Sequence, residues 1–222
     1  MIWGDSHAAS LYRGLLKQSL ESGFNLAQYN ASGCPPVFDF DVDNRKNCKA
    51  LNAFTLRKII MKKPDIVILA AYWLLYDGKH DESKKPWGYL SAEKLSNTLS
   101  ILKSLGIRKI IIVGQLPTYR QSQTKIGARV FVPKRTRRTY SGYVYESNST
   151  DNRIRQVAAN DNIDFISPID VLCNESGCLV STSTDVFKPL AWDYGHLTTD
   201  GSEYLIESCL RSHLIEFPTD QE

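Results

Sequence analysis

The chain has 222 residues and a mass of 25.1 kDa, a length that fits one α/β domain. With 42% hydrophobic and 23% charged residues, its composition excludes a disordered or fibrous protein. The net charge is only +3, from 27 basic and 24 acidic residues, so no nucleic-acid partner is expected. The longest apolar run, 66–76, is about half as long as the ~20 residues that a membrane-spanning helix needs.

The order of predicted elements alternates between strands and helices. The periodicity predicts strand 1–3, helix 11–20, strand 24–29, helix 47–62, strand 66–70, helix 91–105, strand 109–113, helix 150–160, strand 164–166 and helix 199–212. Between the fourth strand and the following helix, 114–142 is polar and is predicted to be a long irregular excursion. This alternation predicts a three-layer α/β/α sandwich with a mainly parallel sheet, whose site lies at the carboxyl ends of the strands.

The first predicted strand has an unusual length for its place in the fold. It would lie inside the sheet, yet only Met1, Ile2 and Trp3 are available for it, where a typical strand has about five residues. The residues at the start also lack the basic and apolar stretches of a signal peptide. We therefore expect a single domain over 1–222 that is part of a longer membrane-anchored or exported protein.

The five cysteines form two local groups and one singleton. Cys34 and Cys48 are 14 residues apart, Cys173 and Cys178 are 5 apart, and Cys209 stands alone on a helical pattern. Such spacing is typical of disulfides in an oxidising compartment, although sequence alone leaves the connectivity open and five free thiols are the alternative. Zinc is less favoured because the chain has no Cys-x-x-Cys and no histidine near either pair.

A candidate nucleophile lies at the first strand-to-helix turn, within Gly4-Asp5-Ser6-His7. Backbone N–H groups at the start of a helix are unpaired, so a serine there has donors for an oxyanion beside it. The alternative is that Ser6 only caps the helix, as serine often does.

A candidate general base lies ahead of the last predicted helix. Asp193 and His196 are three residues apart on a turn, so the carboxylate can orient the imidazole and stabilise its charged form. The Asp-x-x-His pattern alone is a weak signal, because a single histidine is more often structural. Together with Ser6 at the first strand-to-helix turn, it predicts a Ser-His-Asp triad.

These two motifs and the order of elements resemble the SGNH (GDSL-like) hydrolase superfamily, with Gly4-Asp5-Ser6 as its first block and Asp193-x-x-His196 as its last. Further motifs resemble the extracytoplasmic SGNH domain of acyltransferase-3/SGNH polysaccharide O-acetyltransferases. They are Trp3 and His7 around the first block, Cys34-Pro35-Pro36, the run 64–73, Leu172-Cys173 with Cys178, and Leu197 followed by Gly201.

The resemblance implies an activity, partners and a location. The expected enzyme is a serine-dependent O-acyltransferase that modifies a bacterial surface polysaccharide such as lipopolysaccharide O-antigen. The acyl group, acetyl by default and ultimately from acetyl-CoA, would be delivered by an acyltransferase-3 membrane domain in cis or in trans. The domain would bind no cofactor or metal directly and would lie in the periplasm, at the extracytoplasmic face of the inner membrane. The alternative is a carbohydrate or small-ester esterase that uses the same triad with water.

The resemblance also implies residue roles. Ser6 would be the nucleophile, His196 the general base and then acid, and Asp193 the residue that orients it. The backbone N–H groups of Ser6 and Gly33 would hold the oxyanion, although Gly33 is equally well explained as a turn glycine ahead of Cys-Pro-Pro.

The third block departs from the superfamily pattern, because its usual asparagine is missing from 70–73. A conventional three-donor oxyanion hole is therefore not expected. Tyr72 or Trp73 would supply a donor or stack on a sugar ring, unless these aromatic residues belong to the core.

Three other readings of the sequence carry less weight. Asp5-x-His7 matches the opening of metallophosphoesterases, but the further ligands of a two-metal site are missing. A non-enzymatic glycan-binding domain is disfavoured because all three triad residues are present. The basic run 134–138 is either a binding site for an acidic glycan or lipid headgroup, or a solvated loop.

Overall fold

The computed structural model describes residues 1–76 and 82–215. Its strands are β1 (Ile2–Gly4), β2 (Gln28–Asn30), β3 (Ile66–Ala70), β4 (Lys109–Val113), β5 (Arg138–Thr139), β6 (Asp164–Ile166), β7 (Cys173–Asn174) and β8 (Gly177–Leu179). Its α-helices are α1 (Ser6–Ser10), α2 (Tyr12–Ser22), α3 (Cys48–Lys62), α4 (Ala92–Ser104), α5 (Gln123–Val130), α6 (Glu146–Asn160), α7 (Pro168–Leu172), α8 (Thr199–Leu205) and α9 (Arg211–Ile215). Within these two ranges, no helix has the length and apolar character to cross a membrane.

The chain divides into two compact units, each assembled from three stretches of sequence. The first unit contains Met1–Ala9, Ala27–Thr118 and Val144–Ile169, and the second contains Ser10–Leu26, Tyr119–Tyr143 and the chain from Asp170 onward. The interpretation of 1–222 as one domain stays a prediction.

A five-stranded parallel sheet forms the framework of the first unit, with strand order β2-β1-β3-β4-β6. Gly4 at the end of β1 lies opposite Asn30 of β2 and Ala70 of β3, and Ala70 lies opposite Val113 of β4. Because these strands are parallel and in register, the loops that follow them leave the same edge of the sheet. The structure confirms that β1 lies inside the sheet, and it brings the loops after β1, β2 and β3 to one end.

One face of this sheet packs against α3, α4 and α6. Trp3, Leu69 and Ile112 point from the sheet into a buried cluster whose helical members include Ile59, Leu95, Leu99, Leu102, Ile154 and Val157. Burying one such side chain is worth about 1.5–3 kcal/mol relative to leaving it exposed. Ile68 and Ile111, on the other face, are also buried. The continuous apolar runs of β3 and β4 therefore mark strands buried on both faces, as the sequence predicts.

The second unit combines a small antiparallel sheet with a pair of helices. The sheet has strand order β5-β8-β7, and a disulfide joins the paired residues Cys173 and Cys178. Helix α2 packs against α8, where the Gly14 backbone N–H donates to Ser202 Oγ at 2.9 Å. Thr198 caps α8, since its side chain accepts from the Gly201 N–H at 3.0 Å.

Several sequence-predicted boundaries need correction. Strand β2 begins at Gln28 and not at position 24, because β1 offers only three residues for it to pair with. The excursion 114–142 contains α5 and β5; the helix is short, and only Ile126 and Val130 of its apolar side chains face inward. Helix α6 begins at Glu146, four residues before the predicted start. The last helix continues to Ile215 through a π-helical turn, Ile206–Leu210.

Candidate active site

Ser6 begins α1 directly after β1 and is partly exposed. The preceding residue, Asp5, is buried, and its carboxylate shapes the turn. Its Oδ1 accepts from the His7 backbone N–H at 2.8 Å, and its Oδ2 accepts from the Tyr72 N–H at 2.9 Å and from the Tyr76 hydroxyl at 2.8 Å. Burial raises the pKa of Asp5 despite these donors, which favour the charged form. Asp5 thus positions Ser6 and links its turn to the segment after β3.

The turn at Ser6 also requires close contact between β1 and β3. A Cβ atom on Gly4 would lie 1.8 Å from the carbonyl oxygen of Ala70, so no residue with a side chain fits there without moving the backbone. The glycine of the Gly-Asp-Ser motif therefore allows the two central strands to pair up to the point where the serine begins its helix.

Gly33 lies in the loop that follows β2, with φ of +69°, in the left-handed region that favours glycine. A Cβ atom there would meet the ring of Trp87 at 2.6 Å. The next residue, Cys34, forms a disulfide with Cys48 at the first position of α3, and their Cα atoms are 5.3 Å apart. The positive φ and the close contact with Trp87 explain why position 33 is a glycine, and the role of Gly33 as an oxyanion donor stays a proposal.

Asn52 on α3 holds the same loop from inside the core. Its side-chain amide donates to the carbonyl oxygens of Pro35 at 2.9 Å and Val37 at 2.8 Å. Its carbonyl oxygen accepts from the Trp3 indole N–H at 3.1 Å. This buried asparagine connects β1 to the Cys-Pro-Pro loop, and together with the disulfide it fixes the backbone next to Gly33.

The two aromatic residues after β3 have different environments. Trp73 is 1% exposed, and its indole N–H donates to the carbonyl oxygen of Val113 at 2.9 Å. A ring with that exposure cannot touch a substrate, so the expectation that Trp73 binds substrate is wrong and the residue belongs to the core. Tyr72 is partly exposed, and its ring stacks on that of His7, with centroids 4.6 Å apart and planes 9° apart. Tyr72 remains a candidate to line the acyl or sugar site.

In the second unit, Asp193 and His196 form a hydrogen-bonded pair. Asp193 Oδ1 accepts from the backbone N–H groups of Gly195 at 3.0 Å and His196 at 2.8 Å, and Oδ2 lies 2.7 Å from His196 Nδ1. A carboxylate only accepts hydrogen bonds, so Nδ1 carries a proton and Nε2 of the neutral ring is left as the basic nitrogen. The side chain of Asp193 is 21% exposed and that of His196 is 15% exposed. This geometry can perform general base catalysis at Nε2.

The loop that carries this pair is held by the segment before α5 and by the first residue of that helix. The backbone N–H of Tyr119 donates to the carbonyl oxygen of Tyr194 at 2.9 Å, and that of Gln123 donates to the carbonyl oxygen of Asp193 at 2.8 Å. The segment predicted to be an irregular excursion therefore supports the Asp-x-x-His turn.

Trp192, next to Asp193, is a site candidate that sequence reasoning missed. The residue is 60% exposed, and its ring lies nearly parallel to that of His196, with centroids 5.5 Å apart and planes 19° apart. Tyr194 contacts the same imidazole edge-on at 5.3 Å. In the sequence, the sign of this candidate is an aromatic residue next to Asp193, but sequence alone does not show that this residue is exposed.

The cysteine pattern is confirmed. Disulfides join Cys34 to Cys48 and Cys173 to Cys178, and Cys209 is the free cysteine. Burial raises the pKa of the Cys209 thiol to about 12. Within 1–76 and 82–215, no group of three or more histidine, cysteine, aspartate or glutamate side chains is placed to hold a metal ion.

The basic run 134–138 has structural contacts. Arg137 donates to the carbonyl oxygen of Thr182 at 3.3 Å, and Arg138 donates to that of Leu172. Arg138 also belongs to β5. These guanidinium groups join segments of the second unit, which favours neither a free headgroup site nor a simple solvated loop.

The parallel sheet, the serine at its first strand-to-helix turn and the Asp-His turn ahead of α8 define an SGNH-hydrolase-like protein with an α/β sandwich fold. The chain belongs to the SGNH domain family described as fused to AT3 domains, whose family model matches residues 1–210. No curated protein sequence matches it.

Several solved structures are similar to this chain. The periplasmic domain of a lipopolysaccharide acetyltransferase from Salmonella ser. Paratyphi A is 27% identical, with a TM-score of 0.81 over 97% of this chain and 83% of that chain. An acetylxylan esterase from Geobacillus stearothermophilus is 15% identical, with a TM-score of 0.55 over 100% of this chain and 95% of that chain. A lipase/acylhydrolase from Enterococcus faecalis is 12% identical, with a TM-score of 0.52 over 100% and 98%. The last two show the fold alone.

Proposed function

We propose that this chain is a serine-dependent O-acyltransferase domain that transfers an acetyl group to a hydroxyl of a bacterial surface polysaccharide, such as lipopolysaccharide O-antigen. The observation that carries the proposal is the 27% identity, at a TM-score of 0.81, to the periplasmic domain of a lipopolysaccharide acetyltransferase. Ser6 is the nucleophile, His196 the general base and acid, and Asp193 the residue that orients the imidazole. The 2.7 Å contact between Asp193 and His196 supports these roles.

In the first half-reaction, His196 Nε2 takes the proton of the Ser6 hydroxyl as its oxygen attacks the acyl carbonyl carbon. The bond from that carbon to the donor's leaving atom then breaks, and the leaving group departs with the proton held by His196. The product is an acyl ester on Ser6.

In the second half-reaction, His196 Nε2 takes the proton of a sugar hydroxyl, whose oxygen attacks the acyl-serine. The Ser6 oxygen leaves and recovers the proton from His196, so the enzyme is regenerated and the sugar carries the acyl group. If water replaces the sugar hydroxyl, the same steps give an esterase.

The oxyanion in both steps would be held by the backbone N–H groups of Ser6 and Gly33. Two further donors near the missing third-block asparagine are already engaged, since the Tyr72 N–H binds Asp5 and the Trp73 indole binds a backbone carbonyl. One oxyanion donor is worth about 10²–10³ in kcat in other enzymes. We therefore expect slower chemistry than in relatives that keep all three donors.

The acyl donor would reach Ser6 from a membrane partner. The family is one of SGNH domains fused to AT3 domains, which supports delivery by an acyltransferase-3 domain, in cis or in trans, with acetyl-CoA as the ultimate source. Two disulfides are typical of an oxidising compartment and support a periplasmic location.

A fluorophosphonate probe, which reacts with activated serines, tests the nucleophile. We expect labelling of the wild-type chain and none of Ser6→Ala, while Ser104→Ala, which changes an exposed serine, is labelled like wild type. Labelling that survives in Ser6→Ala contradicts the proposal. Incubation with p-nitrophenyl acetate and a deacetylated O-antigen then separates the two reactions, because a transferase gives acetylated sugar by mass spectrometry and an esterase gives only acetate.

A further inference from the structure

We propose that the outer face of α3, defined here by Leu51, Phe54, Arg57, Lys58 and Met61, binds a membrane surface rich in anionic phospholipids. Leu51, Phe54, Lys58 and Met61 follow one another at three or four residues, and Arg57 lies three residues after Phe54, so the five side chains form one stripe. The opposite side of α3 is turned inward, with buried side chains at Cys48, Asn52, Thr55 and Ile59.

The apolar residues of this face are open to solvent. Leu51 is 43% exposed, Phe54 is 42% exposed and Met61 is 61% exposed. Single exposed apolar residues are ordinary, but three on one face of a helix form an apolar strip, with Arg57 and Lys58 between Phe54 and Met61, and such a strip marks an interaction surface.

The charge of the same helix is strongly one-sided. The segment 48–63 contains no aspartate or glutamate, and its basic residues are Lys49, Arg57, Lys58, Lys62 and Lys63. Lys49 forms an ion pair with Asp39. Arg57 and Lys58 instead lie over the ring of Phe54, at 5.8 Å and 5.1 Å from its centroid. Cationic groups therefore flank the apolar strip, with their methylene stems along it.

This combination favours an anionic lipid surface over other occupants. A purely polar polyanion would leave Leu51, Phe54 and Met61 exposed, and an apolar protein groove would leave the cationic groups without counter-charges. A bilayer with anionic headgroups satisfies both, because apolar side chains enter the headgroup region while Lys and Arg reach the phosphates. Membership in a family of domains fused to AT3 domains is consistent with work close to a membrane.

Vesicle sedimentation tests the proposal with the full chain. We expect wild type to bind vesicles of phosphatidylglycerol and phosphatidylethanolamine, and to bind pure phosphatidylcholine vesicles at least tenfold more weakly. Each basic residue near an anionic surface is worth about fivefold in binding, so Arg57→Glu/Lys58→Glu should weaken it at least about 25-fold. The control Lys125→Glu/Arg129→Glu, the same charge change on exposed positions of α5, should bind as wild type.

A second variant tests the contribution of the apolar side chains to vesicle binding. Phe54→Ser/Met61→Ser should weaken binding about tenfold or more while leaving the salt dependence that the cations impose. Equal binding to both vesicle types overturns the proposal. So does equal binding of the Arg57→Glu/Lys58→Glu variant and its α5 control, or binding only to vesicles that contain a membrane protein partner.

A footprint of the wild-type chain keeps the test valid even where a variant fails to fold. Phosphatidylglycerol vesicles should protect Lys58 from an amine-reactive reagent, as read by mass spectrometry, and should leave Lys125 unprotected. Equal modification of Lys58 with and without vesicles overturns the proposal. Ser6→Ala should bind vesicles as wild type does, so a failure here is separate from a failure of the acyltransferase proposal.

Discussion

Asp193→Asn should remove catalysis while sparing the fold. In the native loop, Asp193 accepts three hydrogen bonds, two from backbone N–H groups at 2.8 and 3.0 Å and one from His196 Nδ1 at 2.7 Å. An asparagine keeps the two backbone bonds through its single oxygen, but its NH₂ group then faces Nδ1. The imidazole must accept there, its proton moves to Nε2, and the ring can no longer take a proton from Ser6.

The size of this effect follows from the tautomer. The same change in a serine protease triad lowers kcat about 10⁴-fold, equivalent to about 5 kcal/mol of transition-state stabilisation. The free energy of unfolding should fall by only about 1 kcal/mol, since one hydrogen bond is exchanged for another. Initial rates with p-nitrophenyl acetate and urea unfolding measure the two quantities, with Asp185→Asn on an exposed loop as the control. A variant that keeps more than about 1% of wild-type kcat refutes the triad assignment.

Three further predictions concern the framework around the site. Denatured, unreduced protein should show one reactive thiol, Cys209, and the native thiol should react slowly because burial raises its pKa to about 12; a titration that finds more than one contradicts the presence of two disulfides. Asn52→Ala should lower the free energy of unfolding in urea by about 3 kcal/mol, because the Trp3 indole and two backbone carbonyls lose their buried partner; a loss below about 1 kcal/mol argues against the network. Burial raises the pKa of Asp5, so its contribution to stability is complete below about pH 4 and is lost as the pH rises through the folded pKa. Asp5→Asn should flatten this part of the pH profile of unfolding, and parallel profiles would contradict it.

The parts of the fold that sequence predicted are those with strong local signals. The run at β3 is apolar at every position, and the run at β4 is apolar at every position after Lys109, a pattern typical of strands buried on both faces. The boundaries of β2 were wrong because the length of its partner β1, and not its own sequence, limits the pairing. Helix α5 was missed because a short helix with two inward apolar residues, Ile126 and Val130, gives little periodicity.

In the candidate site, too, contacts between residues close in sequence could be predicted, and contacts between distant residues could not. Asp193 and His196 are close in sequence, so their hydrogen bond could be predicted from spacing alone. The bond from the Tyr72 N–H to Asp5 joins residues 67 positions apart, and no local pattern indicates it. Sequence also could not predict that Tyr72 is partly exposed while Trp73 is buried, because the burial of neighbouring aromatic residues depends on long-range packing.

The two aspartates solve related problems with different chemistry. Each builds a turn by accepting backbone N–H groups close by in sequence, Asp5 from His7 and Asp193 from Gly195 and His196. The second oxygen of Asp5 accepts hydrogen bonds from Tyr72 and Tyr76, which belong to the same unit and fix the turn, and Asp5 is fully buried. Asp193 is partly exposed and keeps its second oxygen for the imidazole. A carboxylate that only shapes a turn can be replaced by a neutral amide with a loss of stability, whereas one that also sets a tautomer cannot, so Asp5→Asn should retain far more activity per folded molecule than Asp193→Asn.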